Sequence, residues 1–167
     1  MTHNNMNGNA GASLPEQLSL LLVDDSADDS FFFRRMLNKS GVSCQFRHLG
    51  DGGAAIDFLE AAIRPDTKTP GLPDVIFLDL KMPVLSGFDV LRWLKERALE
   101  RAPRVVVLSG SDEAADQRKA RELGAADFLV KPITKEILAL KLREHAAQPP
   151  LQPGKKDLAE AANEGNR

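Results

Sequence analysis

The stretch Asp74–Gly87, DVIFLDLKMPVLSG, restricts the possible folds more than any other part of the chain. Val75, Ile76, Phe77 and Leu78 form an unbroken apolar run instead of alternating, the pattern of a strand covered on both faces at the centre of a parallel sheet. The run ends at Asp79, where the strand meets water. Pro83 and Gly87 shape the next segment into a turn, and Phe88, Val90, Leu91 and Leu94 then recur at helical spacing. Ligands of open parallel sheets collect outside the carboxyl ends of the strands. Asp79 is therefore the first candidate for chemistry.

The same pattern recurs along the chain. Leu18–Val23 is a second continuous apolar run and stops at Asp24 and Asp25. Ser26 reads as a helix cap, Asp28 and Asp29 favour the helix dipole, and Phe31, Phe32, Phe33, Met36 and Leu37 offer an apolar face that ends at Ser40-Gly41. The triple Phe31–Phe33 reads as packing. Val42–Leu49 alternates, as expected of a strand near the sheet edge. Asp51 opens a second helix that buries Ala54, Ala55, Ile56, Phe58, Leu59 and Ile63, and the Pro-rich stretch Arg64–Pro73 is a long loop. A helix over Phe88–Leu99 precedes a buried strand, Arg104–Leu108, that ends at Ser109-Gly110. A helix over Asp112–Leu123, closed by Gly124, leads to a short strand, Ala126–Val130, that ends at Lys131-Pro132. Thr134 caps a last helix, to Ala147, with Ile137, Leu138, Leu140 and Leu142 as its apolar stripe. Five strands, each followed by a helix, predict a doubly wound α/β fold with a five-stranded parallel sheet over residues 17–147. Residues 1–16 and 148–167 are expected to be tails, the first disordered and the second punctuated by proline with a marginal helix over Asp157–Ala162.

Composition removes several function classes. A net charge of −2 and a pI of about 5.9, with no Lys/Arg run, leave no electrostatic footprint for nucleic acid. One cysteine, Cys44, and three scattered histidines supply neither a disulfide nor a Cys/His metal cluster. Met1–Leu14 is rich in Asn and Gly and is neither a signal peptide nor a membrane span, so the expected location is the cytoplasm.

The chemistry emerges from what the strands present at their carboxyl ends: Asp24 and Asp25, then Asp79, Ser109 and Lys131. Three carboxylates in one crevice repel one another unless a cation sits among them, and a hard divalent ion with oxygen ligands, Mg²⁺, is the natural occupant. With Lys131 it would flank a phosphoryl group while Asp79 attacks phosphorus, Ser109 donating to a phosphoryl oxygen.

Together LLVDD, FLDLKMPVLSG, VVVLSGS and FLVKP resemble the receiver domain of two-component response regulators, with Met82-Pro83 and Gly87 at the family's offsets after the aspartate. The resemblance implies a flavodoxin-like (βα)5 fold with Asp79 as phosphoacceptor. It implies Asp25, Asp79 and the main-chain carbonyl of Lys81 as Mg²⁺ ligands, with Asp24 as the outer acid. Ser109 becomes the switch hydroxyl, Lys131 the family's lysine, Phe128 the switch aromatic, and the Lys131-Pro132 bond is cis. The implied partner is a sensor histidine kinase. The long loop and single-domain layout look like receivers that partner bacterial phytochrome kinases. Output is then by protein contact instead of enzymatic turnover, and the charged face of residues 112–147 suits a weak homodimer. A haloacid-dehalogenase-type phosphatase fits worse, since its nucleophile lies in a D-x-D pattern on the first strand, whereas Asp24 and Asp25 are adjacent. A receiver-like module without phosphotransfer conflicts with the retention of Asp25, Asp79 and Lys131.

Overall fold

The computed structural model describes residues 18–64 and 71–146, so the expected tails and most of the Arg64–Pro73 loop lie outside the described residues. Strands and helices alternate strictly: β1 (Leu18–Val23), α1 (Ala27–Lys39), β2 (Cys44–Leu49), α2 (Gly52–Ala62), β3 (Val75–Asp79), α3 (Gly87–Arg97), β4 (Arg104–Ser109), α4 (Ala114–Glu122), β5 (Asp127–Val130) and α5 (Lys135–Ala146). The strands form one sheet of order β2-β1-β3-β4-β5, every pair parallel. The expected doubly wound sheet is present, with β2 at its edge.

The continuous apolar runs are explained by a core on each side. Because successive strand residues face opposite ways, Val75 and Phe77 of β3 join Leu20, Leu22, Val106 and Leu108 beneath α1 and α5, which add Phe33, Leu37, Leu138 and Leu142. Ile76 and Leu78 join Leu21, Val23, Val105 and Val107 on the other side, covered by Ala55 and Leu59 of α2, Val90, Leu91 and Leu94 of α3 and Ala120 of α4. All five residues of β3 are buried. The Phe33 ring meets Phe77 edge-on at 5.1 Å between centroids and stacks on Phe46 at 6.0 Å.

Two apolar faces are narrower than the sequence suggests. An α-helix advances about 100° per residue, so three consecutive phenylalanines cannot share one side. Phe33, in line with Leu37, faces the sheet, while Phe31 and Phe32 are 62% and 57% exposed and pair with each other edge-on at 5.8 Å. In α5 only Leu138 and Leu142, four apart, reach the core; Ile137 and Leu140 are 39% and 53% exposed. The element ends also shift. The strand expected from Val42 starts at Cys44, because the Val42 N–H donates to the Ser40 hydroxyl and not to the sheet. The helix expected to reach Leu99 stops at Arg97, where Ala98 turns left-handed at φ 44°. The helix expected over Asp112–Leu123 occupies Ala114–Glu122, and α5 begins after Thr134, whose hydroxyl accepts from the Ile137 N–H at 3.3 Å.

Candidate phosphoryl-acceptor site

The carboxyl ends of β1, β3, β4 and β5 lie side by side, and the loops after them build a crevice from the residues the sequence singles out. Asp24 follows β1. Its N–H donates to the Leu49 carbonyl at 3.1 Å, and the Ser26 N–H donates to its Oδ1 at 2.9 Å. Ser26 in turn caps α1, accepting from the Asp29 N–H at 3.2 Å. The carboxylate of Asp24 is thus fixed by the same turn that starts the helix. Asp25, the next residue, is exposed.

Asp79 ends β3 and is 6% exposed. Its Oδ2 accepts from the Lys81 N–H at 2.8 Å, and its Oδ1 lies 3.0 Å from the ammonium of Lys131. Gly87 allows the loop to fold this tightly: a Cβ there would collide with the main-chain oxygen of Asp79, and the Gly87 N–H donates to the Leu80 carbonyl at 3.1 Å. Between them Val84, fully exposed, takes φ 65°, a costly conformation for a β-branched residue. Ser86 closes the loop as the cap of α3, donating from its N–H and hydroxyl to Asp89 at 2.9 and 2.7 Å.

Ser109 is the last residue of β4 and is buried; its hydroxyl accepts from the Ser111 N–H at 3.1 Å. Its carbonyl accepts from the Lys131 N–H at 2.7 Å, which ties the ends of β4 and β5 together. The Lys131-Pro132 peptide is cis, as the resemblance implies. Phe128 pairs in register with Val107 and is half-buried against the core on the side of α2, α3 and α4.

Lys131 is the centre of charge. Its Nζ donates to Asp24 Oδ2 and to Asp29 Oδ2, both at 2.8 Å, in addition to its 3.0 Å approach to Asp79. Burial pulls the lysine down, but the hydrogen bonds to Asp24, Asp29 and Asp79 outweigh it and the net shift is upward. Burial is also the largest influence on Asp79 and pushes its carboxyl up; Lys131 opposes that shift, and the charge of Asp24 adds to it. The crevice therefore holds more negative charge than one ammonium balances.

Asp24, Asp79 and Lys131 are in direct contact, with Ser109 joined to them through the main chain. Asp25 and Phe128 stand at the margins. Asp29 is the site residue that sequence reasoning missed: it reads there as a dipole partner alone, whereas it grips Lys131. Its signal was topological. A right-handed crossover places α1 on the same side of the sheet as α5, so an acid in the first turn of α1 faces the β5–α5 connection.

The donors suit a hard divalent cation. Two buried strand-end carboxylates face one crevice, the adjacent Asp25 is exposed at its rim, and Mg²⁺ retains several waters instead of demanding a full protein cage. Among the described residues no group of three or more His, Cys, Asp or Glu side chains stands in metal-ligand geometry.

A parallel sheet of order β2-β1-β3-β4-β5, carrying an acidic crevice with a central strand-end aspartate held by a lysine, is the architecture of a receiver domain. Residues 20–143 match the response regulator receiver domain, and the chain belongs to that family. Among its curated relatives it is 31% identical to Protein PilH of Pseudomonas aeruginosa, over 71% of this chain and 89% of that one. It is 29% identical to the two-component response regulator ARR9 of Arabidopsis thaliana, over 92% of this chain and 69% of that one. Among solved structures, the bacteriophytochrome response regulator AtBRR is 33% identical with a TM-score of 0.63, covering 76% of this chain and 92% of that one. The bacteriophytochrome response regulator RtBRR is 29% identical with a TM-score of 0.67, covering 82% and 86%. The Mn²⁺-bound form of response regulator Rcp1 is 30% identical with a TM-score of 0.62, covering 76% and 90%. The chain is a receiver domain of two-component signalling, similar in fold and sequence to two bacteriophytochrome response regulators.

Proposed function

We propose that this receiver takes a phosphoryl group from a sensor histidine kinase of the bacterial phytochrome class onto Asp79. Phosphorylation-dependent protein contacts then pass the signal on, without turnover of a substrate beyond self-catalysed phosphotransfer and dephosphorylation. The functional unit spans residues 17–147 and works in the cytoplasm; among the described residues no helix is long and apolar enough to cross a membrane.

The observation that carries this reading is the grip of Lys131 on both Asp24 and Asp79 at the carboxyl ends of neighbouring strands. Asp79 supplies the nucleophilic oxygen, held in orientation by the Lys81 N–H. Lys131 neutralises charge on the transferring group, and Ser109, at the end of the adjacent strand, donates to a phosphoryl oxygen. Asp25, Asp79 and the Lys81 carbonyl would hold Mg²⁺, with Asp24 as a supporting acid, and the ion would offset the negative charge gathered on the phosphoryl oxygens. Movement of Ser109 toward the phosphoryl group frees space for the half-buried ring of Phe128 and reshapes the surface of α4, β5 and α5. That surface, residues 112–147, then engages a partner or a second copy.

Transfer from an autophosphorylated bacterial phytochrome kinase tests this. Label should pass to the protein with Mg²⁺ present and fall away on chelation. Chelator-insensitive transfer would contradict the metal assignment, and no transfer from any phytochrome kinase would contradict the partner class.

A further inference from the structure

Lysine has three N–H donors and no acceptor. In this site three carboxylates surround that ammonium: Asp24 and Asp29 at 2.8 Å and Asp79 at 3.0 Å. No donor is left for an incoming phosphoryl oxygen, so one contact must break before Lys131 can serve the reaction. The three anchors are unequal. The side chains of Asp24 and Asp79 are 2% and 9% exposed and are each fixed by a main-chain N–H, from Ser26 and Lys81. The side chain of Asp29 is 47% exposed, in the first turn of α1. Water can replace the ammonium at Asp29 at least cost, so that is the contact which yields.

We propose that Asp29 is a positioning residue that holds Lys131 in the resting state and thereby slows phosphorylation of Asp79. Asp29 is not a catalytic residue, because it acts through Lys131. The inference rests on Asp79 being the acceptor. In the reaction a carboxylate oxygen of Asp79 forms a bond to phosphorus while the bond from phosphorus to the donor's leaving atom breaks, a nitrogen in phosphohistidine and an oxygen in acetyl phosphate. With acetyl phosphate as donor, acetate departs with the electron pair. As the phosphoryl group arrives, charge moves from the Asp79 carboxylate out to the phosphoryl oxygens, and Lys131 must follow it away from α1. A contact present in the resting state and absent in the transition state raises the barrier by its own strength. Asp29 also lines, with Phe32 and Met36, a groove of about 650 Å³ that opens onto Lys131 and Pro132.

The test is the rate at which acetyl phosphate labels Asp79 with Mg²⁺ present. Asp29→Asn should label about two- to fivefold faster than the wild type, the range set by a partly exposed ion pair. Asp29→Glu keeps the charge and should return the rate toward wild type. Asp28→Asn removes the same charge from the same helix turn, where general electrostatics and the dipole act equally, and should leave the rate unchanged. Asp29→Asn labelling no faster than wild type, with Asp79 still the labelled residue, overturns the role of Asp29 alone. Equal acceleration by Asp28→Asn overturns it as well. Label absent from Asp79 in the wild type overturns the acceptor reading, and this inference with it.

Discussion

At the scale of single residues, the buried charges divide into those with partners and those without. Lys131 is held by three acids, whereas His145 of α5, only 9% exposed, has no hydrogen-bond partner at either ring nitrogen among the described residues. Burial lowers its pKa first, and the cation of Arg104 lowers it further; Lys141 acts in the same sense, against Asp127 and Glu144. The sign follows directly. The unfolded chain binds a proton at His145 near the ordinary value of 6.5 while the folded chain resists it, so stability is full above that pH and declines as pH falls below it. His145→Leu should lose less stability than the wild type between pH 7 and 5.5 in denaturant titrations; equal losses in both proteins would show that His145 takes up its proton as readily in the folded chain as in the unfolded one. Residue identity alone could not reveal this. The sequence exposes the acids at the strand ends, because they interrupt apolar runs, but the contact between Asp29 and Lys131 joins two elements far apart in the chain. The exposure of Phe31 and Phe32 likewise follows from helical phase, which the run of three hides.

At the scale of elements, the strands were the most legible part. Unbroken apolar runs at Leu20–Val23, Val75–Leu78 and Val105–Leu108 can be satisfied only by cover on both sides, and β1, β3 and β4 occupy the three central places of the sheet. The alternating Cys44–Leu49 strand falls on the edge for the converse reason. Boundaries were less legible, because they are decided by individual hydrogen bonds such as that from Val42 to the Ser40 hydroxyl. The β3–α3 loop is the element on which the site depends most. Gly87 touches the main chain of Asp79, and Gly52 of α2 has the same close relation to the Leu85 carbonyl, so the loop is clamped at two points where no side chain fits. Gly87→Ala should therefore cost about 1–3 kcal/mol of stability and reduce labelling of Asp79, since the added methyl pushes on the main-chain carbonyl of that residue. Stability and labelling both at wild-type levels would contradict the clamp.

At the scale of the whole molecule, Asp24, Asp79 and Lys131 meet at the carboxyl end of the sheet, and the proposed output surface is that of α4, β5 and α5. The charges expected to drive self-association there are partly spent within the chain. Lys141 reaches Asp127 at 2.6 Å and Glu144 at 3.0 Å, and the Lys119 ammonium lies 4.1 Å from the ring centroid of Phe88. Ile137 and Leu140 are left outward. Any dimer formed through this face should be weak, strengthened by a phosphoryl mimic, and less sensitive to salt than its charge content suggests. Sedimentation at low and high salt, with and without the mimic, checks this; a monomer under every condition would contradict the dimer. The most direct measurement concerns the centre of the crevice. The protein is incubated with acetyl phosphate and Mg²⁺, and the modified residue is located by mass spectrometry in the wild type and in Asp79→Asn. A single aspartyl phosphate at Asp79, absent from a variant that remains folded, is the predicted result. Label retained by the folded variant, or found on Asp24 or Asp25 in the wild type, would contradict the assignment of Asp79 as the acceptor.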